Sequence, residues 1–222
     1  MTPQPMPEGP GETCPGPGRR ERHRTATRER LFRSALTLFA EHGFTATTVE
    51  DITEAADLGK GTFFNYFPSK EHVLEALGAL QLSKMQAALD SARHSTEPMH
   101  HVLHRLIHAL AEEPGRSPAL VRSLLLANLS SEAVRLGMQQ KLQRGREILS
   151  ELLALGQKRG EVRRDLPALT LAFVFQQTFF GALMMWSFNP AIPLDERFDA
   201  AFPLLWSGMA AGHENQGKER LP

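Results

Sequence analysis

The stretch TRERLFRSALTLFAEHGFTATTVEDITEAADLGKGTFFNYFPSKEHVL, which runs from Thr27 to Leu74, decides the fold of the N-terminal part of this chain. Its apolar residues first recur at every third or fourth position, which is the period of an α-helix buried on one face. This pattern predicts a first helix from about Thr25 to His42. Gly43 follows at the position where a helix commonly ends in a left-handed residue.

Two shorter helices are predicted next. Thr47 and Glu50 have the spacing of a capping box and predict the start of a second helix. After a tight turn at residues 57–59, a third helix is expected from Lys60 to about Tyr66. Two short helices joined in this way after a longer one form a helix-turn-helix unit, here residues 48–67. The third helix is polar on its outer side, as a helix that enters the major groove must be.

The same stretch carries four short motifs: Gly-Phe-x-x-x-Thr, Glu-Ala-Ala, Lys-Gly-Thr-Phe and Tyr-Phe-x-x-Lys. With these motifs it resembles the N-terminal domain of TetR/AcrR-family transcriptional regulators. The resemblance implies binding of double-stranded operator DNA. It places ten residues at the DNA, which are Arg24, Arg28, Thr47, Thr48, Lys60, Gly61, Thr62, Asn65, Tyr66 and Lys70. Two residues depart from the family pattern, since Gly59 stands where Ser or Thr often caps the recognition helix and Phe64 stands where Tyr is common.

The distribution of charge supports this interpretation. The net charge is zero, with 25 basic and 25 acidic side chains. Between Arg19 and Arg33, however, seven arginines face only Glu21 and Glu29. A local basic cluster steers a protein toward phosphate even when the total charge is neutral. We therefore expect this segment to approach the DNA backbone.

The composition gives no support for an enzyme. The sequence contains no nucleophile elbow, no paired Cys/His set and no glycine-rich phosphate loop after a strand. Its single cysteine, Cys14, lies in a Pro/Gly-rich segment. No cofactor is predicted. The first residues lack the basic-then-apolar pattern of a secretion signal, so we expect a cytoplasmic protein.

Helical periodicity continues through the rest of the chain and predicts an all-α fold: an N-terminal three-helix helix-turn-helix domain followed by a helical ligand-binding and dimerisation domain. We expect a disordered tail at residues 1–23, the DNA-binding domain at 24–84, the second domain at 85–212 and a second tail at 213–222. The later helices are expected near Glu97–Glu113, Ser117–Asn128, Ser131–Lys158, Pro167–Phe188 and Leu194–Ala211.

Residues 166–190 contain no charged side chain, so a membrane span is one interpretation. Gln176, Gln177 and Thr178 at the centre favour a helix buried in a soluble protein instead. The resemblance implies that the last two helices pair with those of a second copy in a four-helix bundle. The residues expected at this dimer interface are Phe175, Phe179, Phe198, Phe202 and Leu205.

The resemblance also implies an effector pocket among the middle helices. The residues expected to line it are His104, Leu125, Phe173, Gln176, Gln177 and Phe180, which suit a hydrophobic small molecule. A stripe of histidines at 100, 104 and 108 has helical spacing at which two imidazoles share a metal ion. We favour structural or solvent-facing histidines here and assign no metal ligand. The overall prediction is a homodimeric repressor that a small molecule releases from a palindromic operator. The alternatives are a helical protein-interaction module and a metal-responsive regulator that uses the histidine stripe.

Overall fold

The computed structural model describes residues 18–212, which form α-helices joined by short turns. The helices are α1 (Arg19–Glu41), α2 (Val49–Ala55), α3 (Lys60–Phe64), α4 (Glu71–Arg93), α5 (Met99–Ala111), α6 (Pro118–Ser130), α7 (Glu132–Arg159), α8 (Ala168–Phe188) and α9 (Leu194–Met209). A 3-10 turn, Pro114–Arg116, precedes α6. Extended pairing within residues 18–212 is limited to an isolated bridge between Val162 and Ala210. The predicted all-α fold class is confirmed.

Helix α1 begins at Arg19, six positions before the predicted start at Thr25. Residues 19–23, which the sequence assigned to a disordered tail, are therefore helical. These residues are arginine, glutamate and histidine, and Arg and Glu are good helix formers without any apolar partner. Periodicity misses such a turn because no side chain in it is buried. The rest of the expected tails, residues 1–17 with Cys14 and residues 213–222, lies outside the described residues.

The capping box of α2 lies one position later than predicted. Thr48 and Asp51 form it: the Asp51 N–H donates to the Thr48 hydroxyl at 3.1 Å, and the Thr48 N–H donates to the Asp51 carboxylate at 2.8 Å. Thr47 is fully buried instead, and its hydroxyl donates to the carbonyl of Gly43 at 2.8 Å. The sequence left the register ambiguous because each threonine is followed by an acidic residue three positions later.

Two hydrophobic cores stabilise the chain, and α6 contributes to both. The first core holds the buried faces of α1, α2, α3 and the start of α4, together with Leu120 and Ala127 from α6. The second core joins α4 to α9 and includes Val121 of α6. At this junction the buried N–H of Phe44 donates to the hydroxyl of Ser123 at 2.9 Å. The DNA-binding head, α1 to α3, therefore packs directly against α6. It is also connected to the C-terminal domain through α4, the next helix in the chain.

Helices α4, α7 and α8 form the centre of the C-terminal domain. Gly145 lets α7 approach α4, since a β-carbon there would lie 3.2 Å from the sulfur of Met85. Gly160 ends α7 at φ +77°, where L side chains are rarely found. Helix α8 is the one described helix that is long and apolar enough to cross a membrane by length and composition. It packs against α6, α7 and α9, so the structure places it in the helical bundle.

Candidate nucleic-acid interface and ligand cavity

Helix α3 is anchored by its aromatic side and presents its polar side outward. Phe63 is fully buried, and its ring lies 5.6 Å from that of Phe67. Lys60, Gly61 and Asn65 are exposed, and Thr62 is half-buried. The structure thus brings these four residues, all predicted at the DNA, together at one short helix. Backbone at Gly61 is open to close approach because nothing lies within 4 Å of a β-carbon built there.

Arginines of α1 border this surface. The guanidinium of Arg28 stacks over the ring of Phe67, 5.1 Å from its centroid, just after the end of α3. Arg24 lies one turn earlier on α1, and both side chains are exposed. The first half of α1 therefore adds positive charge beside the surface of α3. Tyr66, which follows α3, is half-buried against the first core.

Lys60 forms an ion pair with a side chain of α2. Its ammonium donates to the carboxylate of Glu50, and this hydrogen bond holds the pKa of Glu50 below its ordinary value. Both side chains are more than half exposed, so the ion pair is in contact with water. A phosphate that approached Lys60 would compete with Glu50 for it. Sequence spacing gave no signal for this pair, because its members lie ten residues apart on different helices.

The two threonines that were predicted to contact DNA differ in their exposure to solvent. Thr48 is exposed, and its hydroxyl accepts from Asp51, which leaves its own hydrogen free to donate to a phosphate. Thr47 has an exposed fraction of 0% and cannot contact DNA through its side chain. That part of the prediction is wrong because its hydroxyl closes the turn after α1, donating to Gly43 and to Leu38.

Lys70 acts within the head. Its ammonium donates to the carbonyls of Phe44, Thr45 and Thr47 at 2.9, 3.2 and 3.0 Å. It also lies 4.8 Å from the centroid of the Phe44 ring. An ammonium has three N–H groups, and all three are engaged here. Lys70 therefore fastens the turn between α1 and α2 to the start of α4. This role has no sequence signal, because the turn that Lys70 holds lies more than twenty residues away in the chain.

A cavity of about 1230 Å³ lies among α4, α6, α7 and α8. Four of the predicted pocket residues line it, namely Leu125, Gln176, Gln177 and Phe180. Two do not. Phe173 lies off the wall, beneath the guanidinium of Arg146 at 4.9 Å. His104 lies on α5 and faces α9, because the side of α5 toward α4 is taken by its apolar stripe.

The cavity wall is mostly apolar with a few polar groups. Gln176 donates to the carbonyl of Leu142 at 2.9 Å and accepts from the guanidinium of Arg146 at 3.1 Å. Helix α4 supplies a continuous row of lining residues between Leu74 and Met85. The same helix begins at the Lys70 contact in the head, so one rigid element connects the head with the cavity.

The predicted dimer residues are mostly buried inside their own chain. Phe175, Phe179, Phe198 and Phe202 are each at most 7% exposed and belong to the second core. The rings of Phe179 and Phe198 stack at 5.5 Å, which joins α8 to α9 within one chain. Leu205 is half-buried against the same core. The prediction for these phenylalanines is therefore wrong. The exposed apolar side chains of the two helices include Val174, Met185, Phe188 and Leu204.

The three histidines of the predicted stripe have two different environments. His104 and His108 both face Asp199 of α9, with Nε2 atoms 2.9 and 3.0 Å from one carboxylate oxygen. The ring of His100 turns toward Trp206 instead, at 5.8 Å. Sequence spacing found the two histidines, but it could not find a carboxylate more than ninety residues away.

Comparisons with known proteins agree with this arrangement. Residues 31–77 match the model for bacterial regulatory proteins of the tetR family. The uncharacterized HTH-type transcriptional regulator YhgD of Bacillus subtilis is 27% identical over 75% of this chain and 86% of its own length. The HTH-type transcriptional repressor DhaR of Mycobacterium sp. is 25% identical over 82% of this chain and 93% of its own.

A solved structure extends the likeness to both domains. The TetR-family repressor FadR of Thermus thermophilus, solved in complex with lauroyl-CoA, superposes with a TM-score of 0.60. It is 27% identical and covers 86% of this chain and 98% of its own. The family match lies on the helix-turn-helix unit, and the wider likeness includes the helical domain that holds the cavity. Residues 31–77 therefore form a DNA-binding domain of the tetR family of bacterial regulatory proteins, and the chain as a whole is similar to transcriptional regulators of this family.

Proposed function

We propose that this chain is a cytoplasmic homodimeric repressor, not an enzyme, which binds a two-fold symmetric operator and releases it when a hydrophobic small molecule fills the cavity. The observation that carries the proposal is the path of α4. This helix begins at the turn held by Lys70 and continues as one wall of the cavity up to Met85. A ligand that moves this wall therefore acts on the position of the head.

The DNA surface supports the first part of the proposal. Exposed side chains of α3 would contact base edges, and Arg24 and Arg28 would contact phosphates beside them. The hydroxyl of Thr48 would donate to a further phosphate. Contacts of these two kinds have separate tasks, since phosphate contacts position a protein and base contacts select the sequence.

The cavity supports the second part. Its volume of about 1230 Å³ exceeds the roughly 300–1,000 Å³ usual for drug-sized ligands. Its apolar wall with a few amide and charged groups suits a large hydrophobic molecule with a polar end. The relative from Thermus thermophilus binds lauroyl-CoA, which has this character. We therefore place the effector in the class of large hydrophobic or amphipathic molecules.

A second path connects the cavity with the head. Leu125 of α6 lines the cavity, while Ser123 on the same helix accepts the hydrogen bond from Phe44 in the head. A ligand shifts the equilibrium between two arrangements only by its different affinity for them. Contacts through α4 and α6 would provide this difference, because the cavity wall and the head then move together.

Exposed apolar side chains on α8 and α9 support the dimer. Val174, Met185 and Leu204 lie outside the core of their own chain, and Leu204 is 77% exposed. Pairing of these helices about a two-fold axis would bury them. Such a dimer presents two recognition helices about 34–36 Å apart, which is one turn of DNA.

The first experiment is selection of bound fragments from a random duplex pool with the purified full chain at moderate salt. We expect a consensus with two-fold symmetry and half-sites about one helical turn apart. Absence of any enriched sequence, from protein that is folded, would contradict the proposal.

The second experiment tests release. Acyl-CoA esters of increasing chain length are added to the protein bound to the selected operator, and release is followed by fluorescence anisotropy. Met184→Trp places a larger side chain in the cavity wall and should reduce release while operator affinity stays unchanged. Leu126→Trp, on an exposed position of α6 outside the cavity wall, is the matched control. Equal responses of the two variants would contradict an effector site in this cavity.

A further inference from the structure

A second cluster of polar side chains lies between α5 and α9. His104 and His108 are one turn apart on α5, and Asp199 comes from α9. The two Nε2 atoms lie 2.9 and 3.0 Å from the same Asp199 oxygen, Oδ1. The ligand atoms of these three residues all lie within 4.8 Å of one another. None of the three residues lines the cavity, so the cluster is separate from the proposed effector site.

The imidazole rings are held in place by neighbours on α9. The ring of Phe202 packs edge-on against His104 at 4.9 Å, and that of Phe198 packs edge-on against His108 at 6.2 Å. A carboxylate oxygen of Asp195 lies 3.5 Å from Nδ1 of His108, on the side of the ring away from Asp199. Metal-binding histidines commonly have a carboxylate at the nitrogen that does not bind the ion, because it fixes the ring and its tautomer.

The cluster has an excess of negative charge when both imidazoles are neutral, since two carboxylates then face two uncharged rings. Asp199 directs one oxygen at both imidazoles, and its side chain is 57% exposed to water. A cation between the three side chains would balance this charge.

The donor atoms select the kind of cation. Two imidazole nitrogens and one carboxylate oxygen suit Zn²⁺ and the neighbouring divalent transition metals, whereas Ca²⁺ and Mg²⁺ prefer sites made of oxygen alone. Ligand atoms around a tetrahedral zinc lie about 3.3 Å apart, as follows from bonds of about 2.0–2.1 Å. The two Nε2–Oδ1 distances of 2.9 and 3.0 Å are slightly shorter than this. Each imidazole therefore needs to move only slightly away from the Asp199 oxygen to reach that spacing. The side chains are 42%, 27% and 57% exposed, so water can reach the remaining coordination positions.

We infer that His104, His108 and Asp199 form a binding site for one divalent transition metal ion of the zinc class, which joins α5 to α9. Binding replaces any proton on the two Nε2 atoms, and these protons are released to solvent. Because α9 carries part of the proposed dimer surface, the ion would stabilise the C-terminal domain at the helix that supports this surface.

Titration of the metal-free full chain with Co²⁺ tests the site directly. We expect saturation at one ion per chain, visible absorption bands of protein-bound Co²⁺, and their loss when Zn²⁺ is added. Zn²⁺ at 100 times its dissociation constant should also raise Tm by about 5–10 °C, since an ion bound only by the native state stabilises it. Neither measurement uses DNA, so failure of the site and failure of the proposed repressor function are distinguishable.

His108→Gln and Asp199→Asn should each abolish the stoichiometric Co²⁺ spectrum and the effect of Zn²⁺ on Tm. Both side chains are partly exposed, and circular dichroism of the metal-free variants verifies that they fold. His101→Gln is the matched control, since His101 is an exposed histidine of the same helix that does not face Asp199. This variant should bind like the unaltered chain. Absence of stoichiometric binding, retention of binding in His108→Gln, or its loss in His101→Gln would each overturn the inference.

Discussion

Replacement of Lys70 by methionine separates two roles that this residue could have. The family resemblance implies that Lys70 contacts a phosphate, whereas the structure engages its three N–H groups with the carbonyls of Phe44, Thr45 and Thr47. Methionine has a similar length and keeps the apolar contact, but it has neither charge nor donor. The variant therefore removes the hydrogen bonds with little change of volume.

The expected loss of stability follows from these contacts. A hydrogen bond from a charged donor contributes about 1.5–3 kcal/mol. The three contacts share one partly exposed ammonium, and water can reach at least the exposed Thr45, so the losses do not add. We expect the free energy of unfolding to fall by about 2–3 kcal/mol. In a chain of this size Tm should fall by about 4–12 °C.

The salt dependence of DNA binding distinguishes the roles. Each phosphate contact contributes about 0.9 to the slope of log K against log salt. If Lys70 holds the turn, Lys70→Met weakens binding by a similar factor at every salt concentration, and the slope stays unchanged. Arg24→Met is the matched control, because Arg24 is exposed on α1 and is proposed to contact a phosphate. It should lower the slope by about 0.9 per chain and change stability by less than about 0.5 kcal/mol.

Urea unfolding and anisotropy titrations on the selected operator at several salt concentrations give both quantities. A slope lowered by about 0.9 per chain in Lys70→Met, with an unchanged free energy of unfolding, would refute the structural role. Lys70 would then contact phosphate in the complex as the resemblance implies.

Three further changes test other parts of the structure. Ser123→Ala leaves the buried N–H of Phe44 without its partner and should cost about 1–3 kcal/mol in urea unfolding; the exposed Ser130→Ala is its control, and equal losses would contradict the assignment. Leu204→Glu places a charge on the exposed side of α9 and should give a folded monomer by light scattering, so a persistent dimer would move the interface elsewhere. Gly160→Ala forces a left-handed φ of +77° on a residue with a β-carbon and should cost about 1–2 kcal/mol; no loss of stability would show that the turn adjusts.

The sequence predicted the helices well because their signals are local. The later helices, from α5 to α9, begin and end within two residues of their predicted positions. The start of α1 was missed, since its first turn is charged and exposed and has no apolar period. The capping box was shifted by one residue because Thr47 and Thr48 offer the same spacing to an acid. Local sequence patterns therefore locate the helices, but they do not determine the exact residue at which a helix begins.

The candidate site depended more on contacts between distant parts of the chain. Exposed residues of α3 were predicted from the motif and lie where expected, because one short helix presents them all. The pairing of Lys60 with Glu50 and the hydrogen bond between Phe44 and Ser123 join different helices. Neither has a sequence signal, because the residues involved are ordinary at their positions and acquire their role only when the helices pack.

Helix α8 illustrates why the dimer interface could not be predicted. It is apolar nearly all round, so periodicity does not tell which side faces its own core, the cavity or a second chain. The structure places Phe175 and Phe179 in the core, where they also line the cavity together with Phe180. Val174 and Met185 are left exposed. A helix with neighbours on three sides therefore needs no polar face. In the proposed dimer this helix would carry the effector site on one side and the contact with the second copy on the adjacent side. A movement of the cavity wall would therefore also displace the helix of the second copy.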